Sequence, residues 1–436
     1  MAAGRVRLPW RRIGLAAWAS VFVLALADVW WGVFSYRATN AHIVREVGLF
    51  PYAVYDVVSH AWRQLFDHLD DVDPAAYAHF LEARRAAWSL DEQPPARRKN
   101  IVFLQLESMD AATLDATLDG GPVMPFTRAL RERGWVFENA LDQTAVGRSS
   151  DAHVLVITSQ IPIQNQPVFT RYDLSHVRSL PKLLAPLGYR SMSFEGYQAE
   201  FWRWKSNHQR MGYHASFSMT ELDASEQLGW GISDRSVVEQ AVQQMVASTR
   251  PFFAHIMTLT NHHPFPFVRE SVGAPARGIV NDYLLSARYV DGVVKLLYDR
   301  LEQHGLLEDT IVAVYADHDS GITEELLLAL GRPYRAGVEH ERIPLIVTGL
   351  GPPRVIRRPV GLADLAPTVL LAVGAPVPRA LVGTPLQSAA GSVLLPNRTR
   401  VTGVDGDGLA VVEPVHGIEL ETLTRLAIQR PQALPD

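Results

Sequence analysis

An α/β fold with a mostly parallel central sheet flanked by helices is predicted for this chain of 436 residues, with a small C-terminal β element and an N-terminal transmembrane helix. Three observations predict it. Apolar runs of strand length alternate with stretches of helical periodicity from Ile101 to Val373, the pattern of a sheet covered by helices on both faces. Two of those runs end directly on acidic residues, at Leu106-Glu107 and Ala316-Asp317, and open α/β sheets hold their chemistry beyond the carboxyl ends of strands. A long apolar segment also follows a cluster of arginines at the amino end.

Taken in order, Arg5, Arg7, Arg11 and Arg12 precede Ile13 to Phe34, a stretch whose only charge is Asp28. That length suffices to cross a bilayer as a helix. The arginines predict a cytoplasmic N-terminus, with Trp30 and Trp31 at the far interface. A cleaved signal peptide is the rival reading, with Ile13 to Leu24 as its apolar region and Ala25-Leu26-Ala27 as its cleavage site. Either way the body of the protein is delivered across a membrane, anchored in one case and secreted in the other.

Residues 1–34 are therefore assigned to the basic end and anchor, and residues 35–98 to a helical stalk and linker. Aromatics from Phe50 to Phe80 recur at loosely helical spacing, and Glu92 to Lys99 is polar and proline-containing. Residues 99–395 form the predicted catalytic domain. Its strands are expected at Ile101 to Leu106, Tyr189 to Phe194, Phe252 to Thr258, Thr310 to Tyr315 and Ile343 to Val347. Helices are expected at Pro125 to Gly134, Ser179 to Leu187, Asp234 to Thr249, Val280 to Gly305 and Asp364 to Val373. Residues 396–436 are read as a small sheet and tail, with a hairpin around Gly403-Val404-Asp405-Gly406-Asp407-Gly408.

Composition removes several classes of function. The formal charge is −5 without a basic stripe, which argues against nucleic acid. Cysteine is absent, which excludes disulfides, thiolate metal sites and cysteine nucleophiles.

Four short stretches carry the chemistry: Gln105-Leu106-Glu107-Ser108, Gly147-Arg148-Ser149-Ser150-Asp151, Thr260-Asn261-His262-His263-Pro264 and Tyr315-Ala316-Asp317-His318. Each has a bland account. A lone acid at a strand end is commonly a helix cap, and Ser149 or Ser150 suits the N-cap of a following helix. Together they offer carboxylates, a hydroxyl and imidazoles, the donors that a divalent cation and a phosphate ester require. Adjacent oxygen and imidazole ligands at Asp317-His318 suit Mn²⁺, Zn²⁺ or Mg²⁺. A cation beside Ser149 lowers the hydroxyl pKa and makes it a nucleophile. His262 is placed to bond a phosphate oxygen or protonate a leaving group.

On these residues the chain resembles the alkaline phosphatase/sulfatase superfamily, and within it the lipoteichoic acid synthase type of phosphoglycerol transferase. The resemblance runs from Lys99 to Gly374 and includes Phe201-Trp202 and Asp364-Leu365-Ala366-Pro367-Thr368. It implies an alkaline phosphatase-like fold and one divalent metal ion, Mn²⁺ before Mg²⁺ or Zn²⁺, held by Glu107, Ser149, Asp317 and His318. It further implies Ser149 as nucleophile forming a phosphoryl ester, with Arg148, Trp202, Arg203 and His262 on the substrate. The partners implied are a phospholipid donor, a glycan or polyol acceptor and the membrane itself.

The chain departs from that family pattern in three ways. The nucleophile is serine where the family usually has threonine, and there is at most one membrane span. The aspartate and arginine that hold the glycerol head group are matched here by Tyr197 and Trp204, with Arg203 next door as a substitute. Sibling branches fit less well. No C/S-x-P-x-R motif marks a sulfatase, the disulfides of usual phosphoethanolamine transferases are impossible, and only His340 offers itself to a second metal. The expected activity is phosphoryl transfer from a phospholipid head group. Hydrolysis by the same machinery is the alternative, and a silent envelope-binding relative the reading from another class.

Overall fold

The computed structural model describes residues 69, 72–90, 98–164, 166–334, 342–397, 399–404 and 410–436. The expected anchor or signal, most of the stalk, the linker at 91–97, the centre of the predicted hairpin turn and His340 lie outside them. Among the described residues no helix is long and apolar enough to cross a membrane.

Helix α1 (Pro74–Ala86) starts on Asp73, whose side chain accepts from the Ala75 amide at 2.9 Å, and proline occupies its first turn. Arg84 fixes it to the main domain, donating to Val382 O at 3.0 Å and to Ser392 Oγ and O at 3.1 Å. The site-bearing elements then follow in chain order. They are β1 (Asn100–Leu106), β2 (Trp135–Phe137), α2 (Ser149–Thr158), β3 (Arg190–Glu195), β4 (Ala215–Phe217) and α3 (Asp234–Val246). Next come β5 (Phe252–Met257), α4 (Ile279–Gln303), β6 (Thr310–Ala316), β7 (Leu345–Thr348), β8 (Arg354–Ile356) and α5 (Leu365–Ala372). Strands β1, β5 and β6 are buried almost end to end, as parallel strands sandwiched between helices must be.

The eight-stranded sheet runs β8-β2-β7-β6-β1-β5-β3-β4. From β6 to β4 every pairing is parallel. The sheet is nonetheless mixed, because β7 lies antiparallel to both β6 and β2. A run of four buried residues carries no sign of its direction, so alternation alone could not foretell this reversal. Strands β2, β4 and β8 hold three residues each and escape a periodicity reading for lack of length. The parallel register places Tyr315, Gln105, Met257 and Glu195 in one row across the sheet. Glu107 and Asp317 stand two residues beyond that row, on the same face.

The C-terminal sheet has three strands, β9 (Val393–Leu395), β10 (Thr399–Val404) and β11 (Ala410–Pro414). After it, residues read from sequence only as tail form α6 (Leu420–Gln429). Its apolar face, with Leu420, Leu423 and Leu426, is buried, and Thr424 Oγ1 donates to Ile161 O at 2.6 Å. That face repeats at helical spacing and was legible in the sequence.

Candidate metal centre

Strand β1 delivers Glu107 to the carboxyl edge of the sheet, and neighbouring strands hold it there. The Glu107 amide donates to Thr258 Oγ1 at 2.9 Å, and Asn261 Nδ2 donates to both Glu107 O and Ser108 O at 3.1 Å. Ser108 then turns with φ +50°, a left-handed conformation that costs a non-glycine residue energy. The turn brings its amide to Asp317 Oδ1 at 2.8 Å and its hydroxyl to Glu107 Oε1 at 2.7 Å.

Asp317 and His318 leave the end of β6 in the same way. Asp317 Oδ1 accepts from the Ser108 and His318 amides, each at 2.8 Å, while Oδ2 is buried and has no partner. His318 Nδ1 lies 2.7 Å from Asp319 O. Arg148 Nη2 also lies 2.9 Å from that nitrogen, so Nδ1 anchors the ring from behind and Nε2 is the nitrogen turned toward the carboxylates. That Nε2 stands 3.5 Å from Asp317 Oδ2 and 3.7 Å from Glu107 Oε1.

Ser149 opens α2 after a strained turn. Arg148 has φ +45°, and the Asp151 carboxylate ties the loop by accepting from the Ala145 and Gly147 amides at 2.9 Å. A Cβ at Gly147 would lie 2.1 Å from Asp151 Oδ1, so only glycine fits. The Ser149 hydroxyl does not cap the helix. It donates to Glu107 Oε2 at 3.3 Å and lies 3.2 Å from His318 Nε2. Ser150 Oγ turns away to Gly147 O at 2.8 Å. The neighbouring serines are thus distinguished by geometry alone.

Ligand atoms of Glu107, Asp317 and His318 all fall within 4.8 Å of one another, in a buried setting. Burial first, and the Asp317 charge second, push the Glu107 carboxyl well above its ordinary range. Two buried carboxylates, one orphaned oxygen and an imidazole nitrogen therefore fit a divalent cation, whose charge offsets the carboxylates' mutual repulsion.

The other expected residues are placed differently. Arg148 stands behind the ligands: it donates to Asp319 Oδ2 and Asp319 O at 2.9 Å, and Asp142 Oδ2 is 3.7 Å away. Burial would raise the Asp319 carboxyl, but the Arg148 guanidinium outweighs it and holds that carboxyl below the usual range. His262 uses Nδ1 on His263 O at 2.8 Å, which leaves Nε2 facing outward, and its ring lies 4.0 Å from Trp230. Burial lowers its pKa and so favours the neutral ring. Trp202 and Arg203 both have positive φ and sit beside Phe201, with Trp202 half-buried and Arg203 exposed. Trp204 is core, with its indole NH on Gln198 O at 3.2 Å. Sequence reasoning passed over Thr258, Asp142, Asp319 and Trp230. Only Thr258, lying at a strand end, carried a positional signal.

Comparison with known proteins follows the same lines. A family model described as Sulfatase matches residues 99–375. Lipoteichoic acid synthase 2 of Bacillus subtilis is 26% identical over 353 residues, which cover 76% of this chain and 54% of that protein. The chain spans about half the length of the curated relatives it matches. Among solved structures, the lipoteichoic acid synthase LtaP from Listeria monocytogenes superposes with a TM-score of 0.68 at 18% identity, covering 82% of this chain and 97% of that one. Streptococcus pyogenes phosphoglycerol transferase GacH, in complex with sn-glycerol-1-phosphate, gives 0.52 at 10% identity, covering 72% and 85%. At those identities the two structures establish the fold alone.

Proposed function

We propose that this chain, which belongs to the sulfatase family, is a metal-dependent phosphoryl-group transferase acting on a phospholipid head group, of the phosphoglycerol transferase kind. One observation carries the reading. The Ser149 hydroxyl stands 3.3 Å from Glu107 Oε2 and 3.2 Å from His318 Nε2, beside the unpartnered Asp317 Oδ2. A divalent cation held by Glu107, Ser149, Asp317 and His318, with Mn²⁺ the first choice, would lower the serine pKa and stabilise charge on the phosphate oxygens.

The chain's own residues do the rest. Ser149 Oγ attacks phosphorus, a serine–phosphorus ester forms, and the bond to the diacylglycerol oxygen breaks. The proton released from Ser149 Oγ goes to His262 Nε2, the free and unprotonated nitrogen of its ring, and passes from there to that leaving oxygen. The same nitrogen then receives one from the glycan, polyol or water hydroxyl that attacks the ester and restores Ser149. The relatives named as lipoteichoic acid synthases support a glycerophosphate donor. An extracytoplasmic, membrane-anchored setting is supported by the arginine-flanked apolar run from Ile13 to Phe34.

The test is release of labelled diacylglycerol from fluorescent phosphatidylglycerol by the full chain in detergent with Mn²⁺. Wild type should release it, and Ser149→Ala should fall on the order of a thousandfold or more with its melting temperature unchanged. Residual turnover above about a tenth of wild type would remove Ser149 from the mechanism.

A further inference from the structure

Asn261 stands one position before His262, in the connection from β5 to α4, and is fully buried where His262 is half-buried. Its Nδ2 donates to Glu107 O and to Ser108 O, both at 3.1 Å, so each of its two amide protons is used. Its Oδ1 is buried and has no partner. A buried acceptor left open costs stability. The side chain is therefore held here for its donors.

The two carbonyls belong to the turn that ends β1. In that turn Ser108 has φ +50°, its amide is on Asp317 Oδ1 at 2.8 Å, and its hydroxyl is on Glu107 Oε1 at 2.7 Å. Asn261 thus grips the backbone that carries Glu107 and orients Asp317. The other end of the grip is fixed as well. The Leu259 and Thr260 amides donate to Asp234 at 2.7 and 3.1 Å, and Ser286 Oγ donates to Thr260 O at 3.3 Å. The His262 amide donates to Leu259 O at 3.1 Å, so His262 rises directly from this pinned segment. A neutral amide makes the joint without adding charge beside Glu107 and Asp317, which an acid or a lysine would do.

Resting on the phosphoryl-transfer reading above, we propose that Asn261 is a positioning residue that keeps the metal-side turn and His262 in one register. Nucleophile activation at the cation and protonation of the leaving oxygen then depend on the same side chain. The two events act on attacking and leaving oxygens that lie in line through one phosphorus. A shift of one group against the other by about an ångström costs on the order of a hundredfold in rate. The bonds of Asn261 go to backbone, so it acts through Glu107, Ser108 and His262 and not on the reacting atoms.

The experiment uses full chains at saturating Mn²⁺ and two substrates. One is phosphatidylglycerol, whose diacylglycerol oxygen needs a proton to leave. The other is bis(p-nitrophenyl) phosphate, whose p-nitrophenolate leaves as the anion and so leans less on His262. Asn261→Ala and Asn261→Leu both lack the donors. Each should lose about tenfold in kcat on the diester and about a hundredfold on phosphatidylglycerol, with KM within about twofold. Mn²⁺ affinity should fall about tenfold in both. Asn261→Ser keeps one donor, should fall between these two and wild type, and carries the same comparison if they do not fold. In a His262→Ala background the excess loss on phosphatidylglycerol should vanish while the loss on the diester remains.

Asn261→Leu much nearer wild type than Asn261→Ala would make the residue a filler of space and overturn the proposal. So would equal losses on both substrates, which confine it to the metal side, or an excess loss that survives in the His262→Ala background. A lower melting temperature with kcat and Mn²⁺ affinity unchanged would reduce its role to fold stability and equally overturn it. Wild type active on the diester only would refute the link to the leaving group and leave phosphodiester chemistry standing. Wild type inactive on both would bring down the functional reading itself.

Discussion

The two sides of the proposed site, that of the metal and that of the head group, are built on different principles. On the metal side, Glu107, Asp317 and His318 are 5%, 0% and 4% exposed, and hydrogen bonds to backbone or side chain fix each of them. On the head-group side, Trp230 is 39% exposed, and Tyr197, Phe201 and His262 meet it or one another chiefly through their rings. Ring contacts hold a direction loosely, whereas paired amides and carboxylates hold it within tenths of an ångström. The metal side is suited to one chemistry. The head-group side can change its ligand by changing a few loop residues.

The comparison can be broken or sharpened by substitution. The largest effect belongs to Asp317→Asn, which removes the charge on the orphaned oxygen. Wild type should gain about 2.7 kcal/mol of stability at roughly a hundred times the Kd for Mn²⁺. The variant should gain none, as read from melting curves with and without the ion, and an undiminished gain would place the ion elsewhere. Arg148→Ala comes next. It leaves every proposed ligand in place but frees Asp319 and the His318 loop, so Mn²⁺ affinity should fall about ten- to a hundredfold. An effect confined to lipid KM, with metal affinity intact, would instead return Arg148 to the substrate. The smallest effect is that of Trp230→Ala. KM for phosphatidylglycerol should rise by a few fold, on the order of 1 kcal/mol, with no change on a small diester or in Mn²⁺ binding. Altered metal binding in that variant would show that the two sides are one unit after all.

Legibility in the sequence follows the same division. Glu107 and Asp317 are each visible because an apolar strand runs straight into them, and β1 and β6 are long enough to show it. Arg148 and Ser149 are visible as a motif, yet nothing in the motif says that one faces the ligands and the other stands behind them. Asp142 and Asp319 share Arg148 across an interval of 177 positions, a pairing no local pattern contains. The reversed β7 was equally hidden, since burial on both faces erases the alternation that marks a strand's setting. Helix α6 is a different case: its apolar face was present in the sequence and went unread beside the hairpin signal.

By itself the sequence determined the longer elements and the donor residues that the proposed chemistry uses. Strand-length apolar runs, helical periodicities and donor residues at strand ends are local properties, set by side-chain spacing and backbone preference. Tertiary structure alone decided which serine faces the ligands, where the Arg148 charge is spent, and which carbonyls the Asn261 amide holds. Those depend on register between strands distant in the chain. Hydrogen bonds of a few ångströms are then closed or left open by packing that no single segment encodes.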